Sequence, residues 1–275
     1  FLCQGGRSQD LDNQVADTGF YITYILLFCI LIAGFTTTAN IAINAISRVI
    51  QFMTVLLPAY FMTVAMASGS VTSATFYEFT MIVITIVDGV LLKVIIPLIK
   101  VYLIIMLANN LSKEDMLSKL AGTIETIVKW SLKTLIAFVI GFNAIQTLVS
   151  PVADGLKRSL LLKAGNAIPG VGSILSGVAE TVMGAGVLLK NAVGAAGLVV
   201  IIVVCTIPII KLVVNYFILR IGESVIQPVS DKRVINCINA ASVATNLLLQ
   251  VVVVVAVLFL ITLTIVTAST NGAIG

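Results

Sequence analysis

LLLQVVVVVAVLFLITLTIV, residues 247–266, decides the fold. Its valines, isoleucines and threonines would favour a strand in water. An uncharged apolar run of this length is instead a membrane-crossing helix, because roughly 20 apolar residues match the hydrocarbon thickness of a bilayer. The run lies inside a stretch from Ile235 to Gly275 that holds no Asp, Glu, Lys or Arg. Four more charge-free stretches lie upstream: 18–47, 49–77, 134–153 and 191–210.

The whole chain follows the same pattern. Of its 275 residues 59% are hydrophobic and 10% charged, against about 25% charged in an ordinary soluble domain. So little polar surface cannot cover that many apolar segments in water. The sequence therefore predicts an all-α, polytopic transmembrane helical bundle. The net charge of +4 suggests no nucleic-acid partner, because Lys and Arg fall mostly in connections, where membrane topology calls for them. Cys29 and Cys205 sit within apolar segments as small fillers. The four cysteines show neither metal-ligand spacing nor a disulfide framework.

Six spans are predicted, over 20–46, 50–69, 76–107, 130–150, 191–210 and 240–268, after a polar N-terminal segment at 1–19. That segment has no basic stretch ahead of an apolar run, so a processed or trimmed N-terminus is expected. In the first span Asn40 and Asn44 share a face, which is expected to look at protein rather than lipid. Pro58 should kink the second span without ending it. The third carries Glu78, Asp88, Lys93 and Lys100, with Asp88 the ionisable group expected to lie deepest. It reads either as part of an ion path or as the partner of a neighbouring lysine or of the interface. Asn143 and Gln146 share a face of the fourth span, which Pro151 should close.

Two further segments stand apart. Residues 112–129 are amphipathic, with Leu117, Leu120, Ile124 and Ile127 at helical spacing and acid-to-base pairs Asp115–Lys119 and Glu125–Lys129. Ser112 is the expected N-cap, and the helix is expected to lie on the membrane surface before turning into the fourth span. Residues 164–190 are rich in Gly, Ala and Ser, and Ser173, Gly177, Thr181 and Ala185 form a ridge of small side chains suited to close helix contact. This block is expected to be re-entrant or tightly packed. Its GVGS lacks the Gly-Lys-Ser/Thr ending of a phosphate-binding loop.

Placing Arg48, Lys113–Lys133 and Lys211–Arg233 inside leaves both ends outside; Lys157, Arg158 and Lys163 fit only if the glycine-rich block crosses or re-enters. There is no histidine, which removes the commonest general base and metal ligand. No paired carboxylates fall on adjacent spans. The chain is read as non-enzymatic, with no cofactor. Two classes remain: a subunit of a membrane assembly, or an autonomous permease for small solutes or ions built around Asn40, Asn44, Asp88, Asn143 and Gln146.

Four stretches carry a resemblance: FTTTANIAINAISRVIQFMTVLLPAYF (35–61), KVIIPLIKVYLIIMLANNLSKED (93–115), WSLKTLIAFVIGFNAIQTLVSPVADGLKRS (130–159) and KAGNAIPGVGSILSGVAETVMGAGVLLKNAVGAAG (163–197). Together they resemble the stage III sporulation protein AE family. The resemblance implies a non-enzymatic subunit of a secretion-like channel complex joining mother cell and forespore. It further implies residence in the outer, mother-cell-derived forespore membrane. The partners implied are the lipid bilayer and other stage III sporulation membrane and ring-forming proteins. The ridge Ser173–Gly177–Thr181–Ala185 then becomes an expected assembly surface, for these partners or for a second copy of the chain.

Overall fold

The computed structural model describes the backbone at 4–68, 72–111, 116–165 and 172–271, with side chains at 18, 19, 21–64, 77–110, 116–145 and 184–267. Every element among these residues is helical. They are α1 (Gln4–Ser68), α2 (Thr72–Val90), a π-helical turn (Leu91–Ile95), α3 (Ile96–Leu111), α4 (Ser118–Gly165), α5 (Gly172–Ile226) and α6 (Lys232–Asn271). The π-helical turn joins α2 to α3, so the two form one interrupted rod.

Among the described residues five helices are long and apolar enough to cross a membrane: Tyr21–Val64, Tyr77–Asn110, Ser118–Ile145, Gly184–Ile226 and Lys232–Thr267. The expected spans 20–46 and 50–69 lie on one continuous helix, α1. Between Ile46 and Ile50 stands only Ser47-Arg48-Val49, which contains no Gly or Pro. One charge does not break backbone hydrogen bonding. Pro58 lies inside α1 and Pro208 inside α5 without ending either. Pro151 likewise fails to close the fourth span, since α4 continues to Gly165.

The amphipathic segment is not a separate surface helix. From Ser118 it leads straight into 130–150 as α4; Ser112 and Asp115 lie outside the described residues. Its buried face is Ala121, Ile124, Val128, Leu132 and Leu135, while Leu117, Leu120 and Ile127 are exposed. The expected stripe was thus placed a fraction of a turn off the true contact face. Glu125 and Lys129 do pair, at 2.6 Å on the exposed side. The glycine-rich block is helical from Gly172 and continues into 191–226 as α5 without reversing.

The rods alternate in direction. Tyr24 of α1 donates its hydroxyl hydrogen bond to the Leu107 carbonyl of α3 and lies 3.1 Å from Cys237 Sγ of α6. At the other end Tyr60 donates to the Val266 carbonyl, and Phe61 meets Tyr77 edge-on at 5.8 Å. The beginning of α1 and the finish of α6 therefore lie at opposite ends of the bundle. The expected topology places both ends of the chain on one side.

Helix α6 sits at the centre, in contact with α1, α3, α4 and α5. Its inward residues Ala244, Leu247, Leu248, Val251, Val252, Val255, Leu258 and Leu263 are buried. In lipid such contacts gain little from the hydrophobic effect, since acyl chains are as apolar as leucine. Close packing replaces it. Gly194 and Gly197 of α5 allow this: a Cβ at Gly197 would lie 2.7 Å from Leu56 Cδ2 and 2.8 Å from Leu263 Cδ2, and one at Gly194 would lie 2.9 Å from Thr267 Oγ1.

Candidate functional site

Polar groups inside a membrane bundle are costly unless paired, so their positions are the natural place to seek function. Asn143 is buried in α4, where its Nδ2 donates to the Val139 carbonyl at 2.8 Å and to Thr262 Oγ1 of α6 at 3.3 Å. A small cavity beside it is lined by Thr80, Val87, Val139, Asn143, Phe259 and Thr262, among others. Two threonines and an amide stand in an otherwise apolar lining, and the Asn143–Thr262 contact ties α4 to α6.

The other expected positions with described intramembrane polar side chains do not join it. Asn40 and Asn44 are exposed on the outer side of α1, so within this chain they face away from protein. The reason is the packing of α1, whose Ala39, Ala42, Ala45 and Ile46 turn inward; small residues allow closer approach than amides. Asp88 is half-buried near the end of α2, just before the π-helical turn. Ala185 is exposed; Ser173, Gly177 and Thr181 lie on the α5 backbone, and their side chains, like that of Gln146, are outside the described residues. Among the described side chains, Asn40, Asn44 and Asp88 are therefore not gathered around Asn143.

Several polar contacts were not expected. Asn215 of α5 donates to Thr38 Oγ1 of α1, and Asn109 Oδ1 accepts from the Leu117 backbone N–H at 2.8 Å, tying the end of α3 to the approach to α4. Lys190 is 1% exposed, and among the described residues its Nζ has no hydrogen-bond partner. A sequence signal existed for Lys190, the sole charge between Glu180 and Lys211. Thr38 and Asn215 have no local signal, because neither residue's partner can be read from its own helix.

The Asn143–Thr262 contact can be apportioned. Asn143→Ala should destabilise the bundle by about 0.5–1.5 kcal/mol, the range of interhelical hydrogen bonds in lipid. Thr262→Ala should cost less than that, and the double variant less than the two singles combined. Unfolding by SDS titration of all four proteins reads this coupling; strict additivity would mean the two groups do not interact.

These groups form no convergent constellation for chemistry, and among the described residues no three His, Cys, Asp or Glu lie close enough to hold a metal ion. Comparison with known proteins supplies the context. The stage III sporulation protein AE family matches residues 8–270. The chain belongs to the stage III sporulation protein AE family. Stage III sporulation protein AE of Bacillus subtilis (strain 168) is 25% identical over 271 residues, covering 98% of this chain and 67% of that protein. No solved structure matches the chain. Family and fold together make it a multi-pass, non-enzymatic membrane component of the sporulation machinery.

Proposed function

We propose that the chain is a subunit of a secretion-like channel complex connecting mother cell and forespore, seated in the outer, mother-cell-derived forespore membrane. The observation that carries this reading is the family match across nearly the whole chain. The described polar side chains add to it. Asn143, Thr262, Thr38 and Asn215 link one helix to another; they do not gather around a shared substrate position near the bilayer midplane, as a secondary transporter requires.

The partners of this subunit are other stage III sporulation membrane and ring-forming proteins. The ridge on α5 is the surface proposed for contact with them, and exposed Ala185 is its described member. Gly177→Leu with Ala185→Leu should block assembly and sporulation while leaving the protein in the membrane. Normal sporulation from that variant would remove the ridge from the interface.

The reading also separates from an autonomous permease. Purified protein in sealed vesicles should move no small solute or ion on its own, measured by tracer uptake under an imposed gradient. Saturable uptake abolished by Asp88→Asn would replace the channel-subunit reading with transport.

A further inference from the structure

The outward face of α1 carries carboxamides in mid-span. Asn40, Asn44 and Gln51 are exposed within Tyr21–Val64, with about 30 Å of helix on either side of Asn44. In the other spans the exposed Asn and Gln side chains among the described residues are Asn191 and Asn236. Each of these lies close to where its span starts. Apolar side chains are exposed on both sides of the α1 amides: Ile22, Leu26 and Ile30 before them, Val55 and Met62 after. The amides therefore interrupt an apolar outer surface.

Their spacing is regular. Ala33, Thr37, Asn40, Asn44, Gln51 and Thr54 are all exposed. They follow one another at steps of four and three, with one step of seven across half-buried Ser47. A repeat of this kind keeps one seam of a helix against a parallel neighbour. In water such a seam is apolar. Between membrane helices it is built from small residues and amides, which let backbones approach and bond across the contact.

Hydroxyls and amides on this seam differ in what they need. Thr37 and Thr54 donate to carbonyls one turn back on α1, to Ala33 at 3.1 Å and to Ile50 at 2.9 Å. Among the described residues, Asn40, Asn44 and Gln51 have no hydrogen-bond partner. Each carboxamide holds two N–H donors and an acceptor oxygen, which are costly to leave unmet in apolar surroundings.

We propose that this seam is a homodimer interface, covered by the same seam of a second copy of the chain. Copies inserted in one orientation are related by a two-fold axis along the membrane normal. Each seam residue then meets its own counterpart: Asn40 with Asn40, Asn44 with Asn44, Gln51 with Gln51. A carboxamide both donates and accepts, so like bonds to like; paired lysines or carboxylates would repel. That self-complementarity selects a second copy over lipid tails, which offer no hydrogen bond. The inward face of α1, with Ala39, Ala42 and Ala45, stays in its own bundle, so the two copies dock without repacking. Exposed Arg48 stands beside the seam, at the edge of the contact.

Disulfide crosslinking of the purified full chain in phosphatidylcholine vesicles tests the pairing. The parent carries Cys3→Ser and Cys29→Ser, which leaves Cys205 and Cys237, both buried. Ala33→Cys and Thr54→Cys, at the two ends of the seam, should each form linked dimers under mild oxidant. They should do so many-fold faster than Ile202→Cys, which is exposed on α5. Equal rates at all three positions would mean chance collision and would overturn the interface. Rapid labelling of the seam cysteines by a membrane-impermeant maleimide, without crosslinking, would mean that the seam faces water and would also overturn it.

The amides are tested by combining Asn40→Leu, Asn44→Leu and Gln51→Leu, with helix content checked by circular dichroism. Energy transfer between labelled chains, read as the vesicles are diluted with lipid, gives the dissociation constant of the dimer. It should rise by roughly threefold to tenfold per amide. An unchanged constant in the triple variant would overturn the proposal even if the cysteines crosslink. Purified chain alone suffices for both measurements, so failure of pairing is read separately from failure of the channel-subunit reading.

Discussion

Gly197→Leu is expected to destabilise the bundle by about 3 kcal/mol, the upper part of the range for overpacking a filled interior. A Cβ alone at this position would come within 2.8 Å or less of methyl groups from two different helices, Leu56 of α1 and Leu263 of α6. Those atoms are the ends of flexible side chains, so Gly197→Ala should be accommodated by small rotations, with a much smaller loss. Three further carbons have nowhere to go without pushing α5 off α1 and α6. SDS titration or thermal unfolding in mild detergent measures the difference between the two variants. Equal stability of Gly197→Leu and the parent would mean that the three helices are not held at this spacing.

Lys190→Met should act in the opposite direction, raising stability by about 1–3 kcal/mol, the desolvation cost of a buried polar group left without a partner. The lysine is 1% exposed, and its Nζ has no hydrogen bond among the described residues. Methionine fills similar volume with no polar atom. A buried cation of this kind in a membrane helix is retained where it is used, so the same variant should sporulate poorly despite the firmer fold. Thermal unfolding and spore counts on one strain read both halves. A loss of stability on substitution would show that the amine has a stabilising partner.

The membrane character, the all-helical fold and the family were legible in the sequence because each rests on local or additive signals. Charge-free runs such as 191–210 report burial in lipid whatever their neighbours do. Segment number was harder. Arg48 suggested a connection, yet a single arginine leaves helical hydrogen bonding intact, and 20–46 and 50–69 form one rod. Orientation about the helix axis was harder still. Asn40 and Asn44 share a face as expected, but Ala39, Ala42 and Ala45 offer an equally regular face that packs closer, and only the neighbouring helices choose between them. Asn143 was found because an amide deep in an apolar span demands a partner; the partner, Thr262, lies 119 residues away and leaves no trace nearby.

The central claim is that this membrane bundle works as part of an assembly, and affinity capture from sporulating cells tests it most directly. The tagged chain is extracted in mild detergent, and the mass of the particle and the identity of its components are read together. The account predicts a large complex containing other stage III sporulation membrane and ring-forming proteins. Recovery of the chain as a lone monomer or dimer, from cells that sporulate normally, would contradict it.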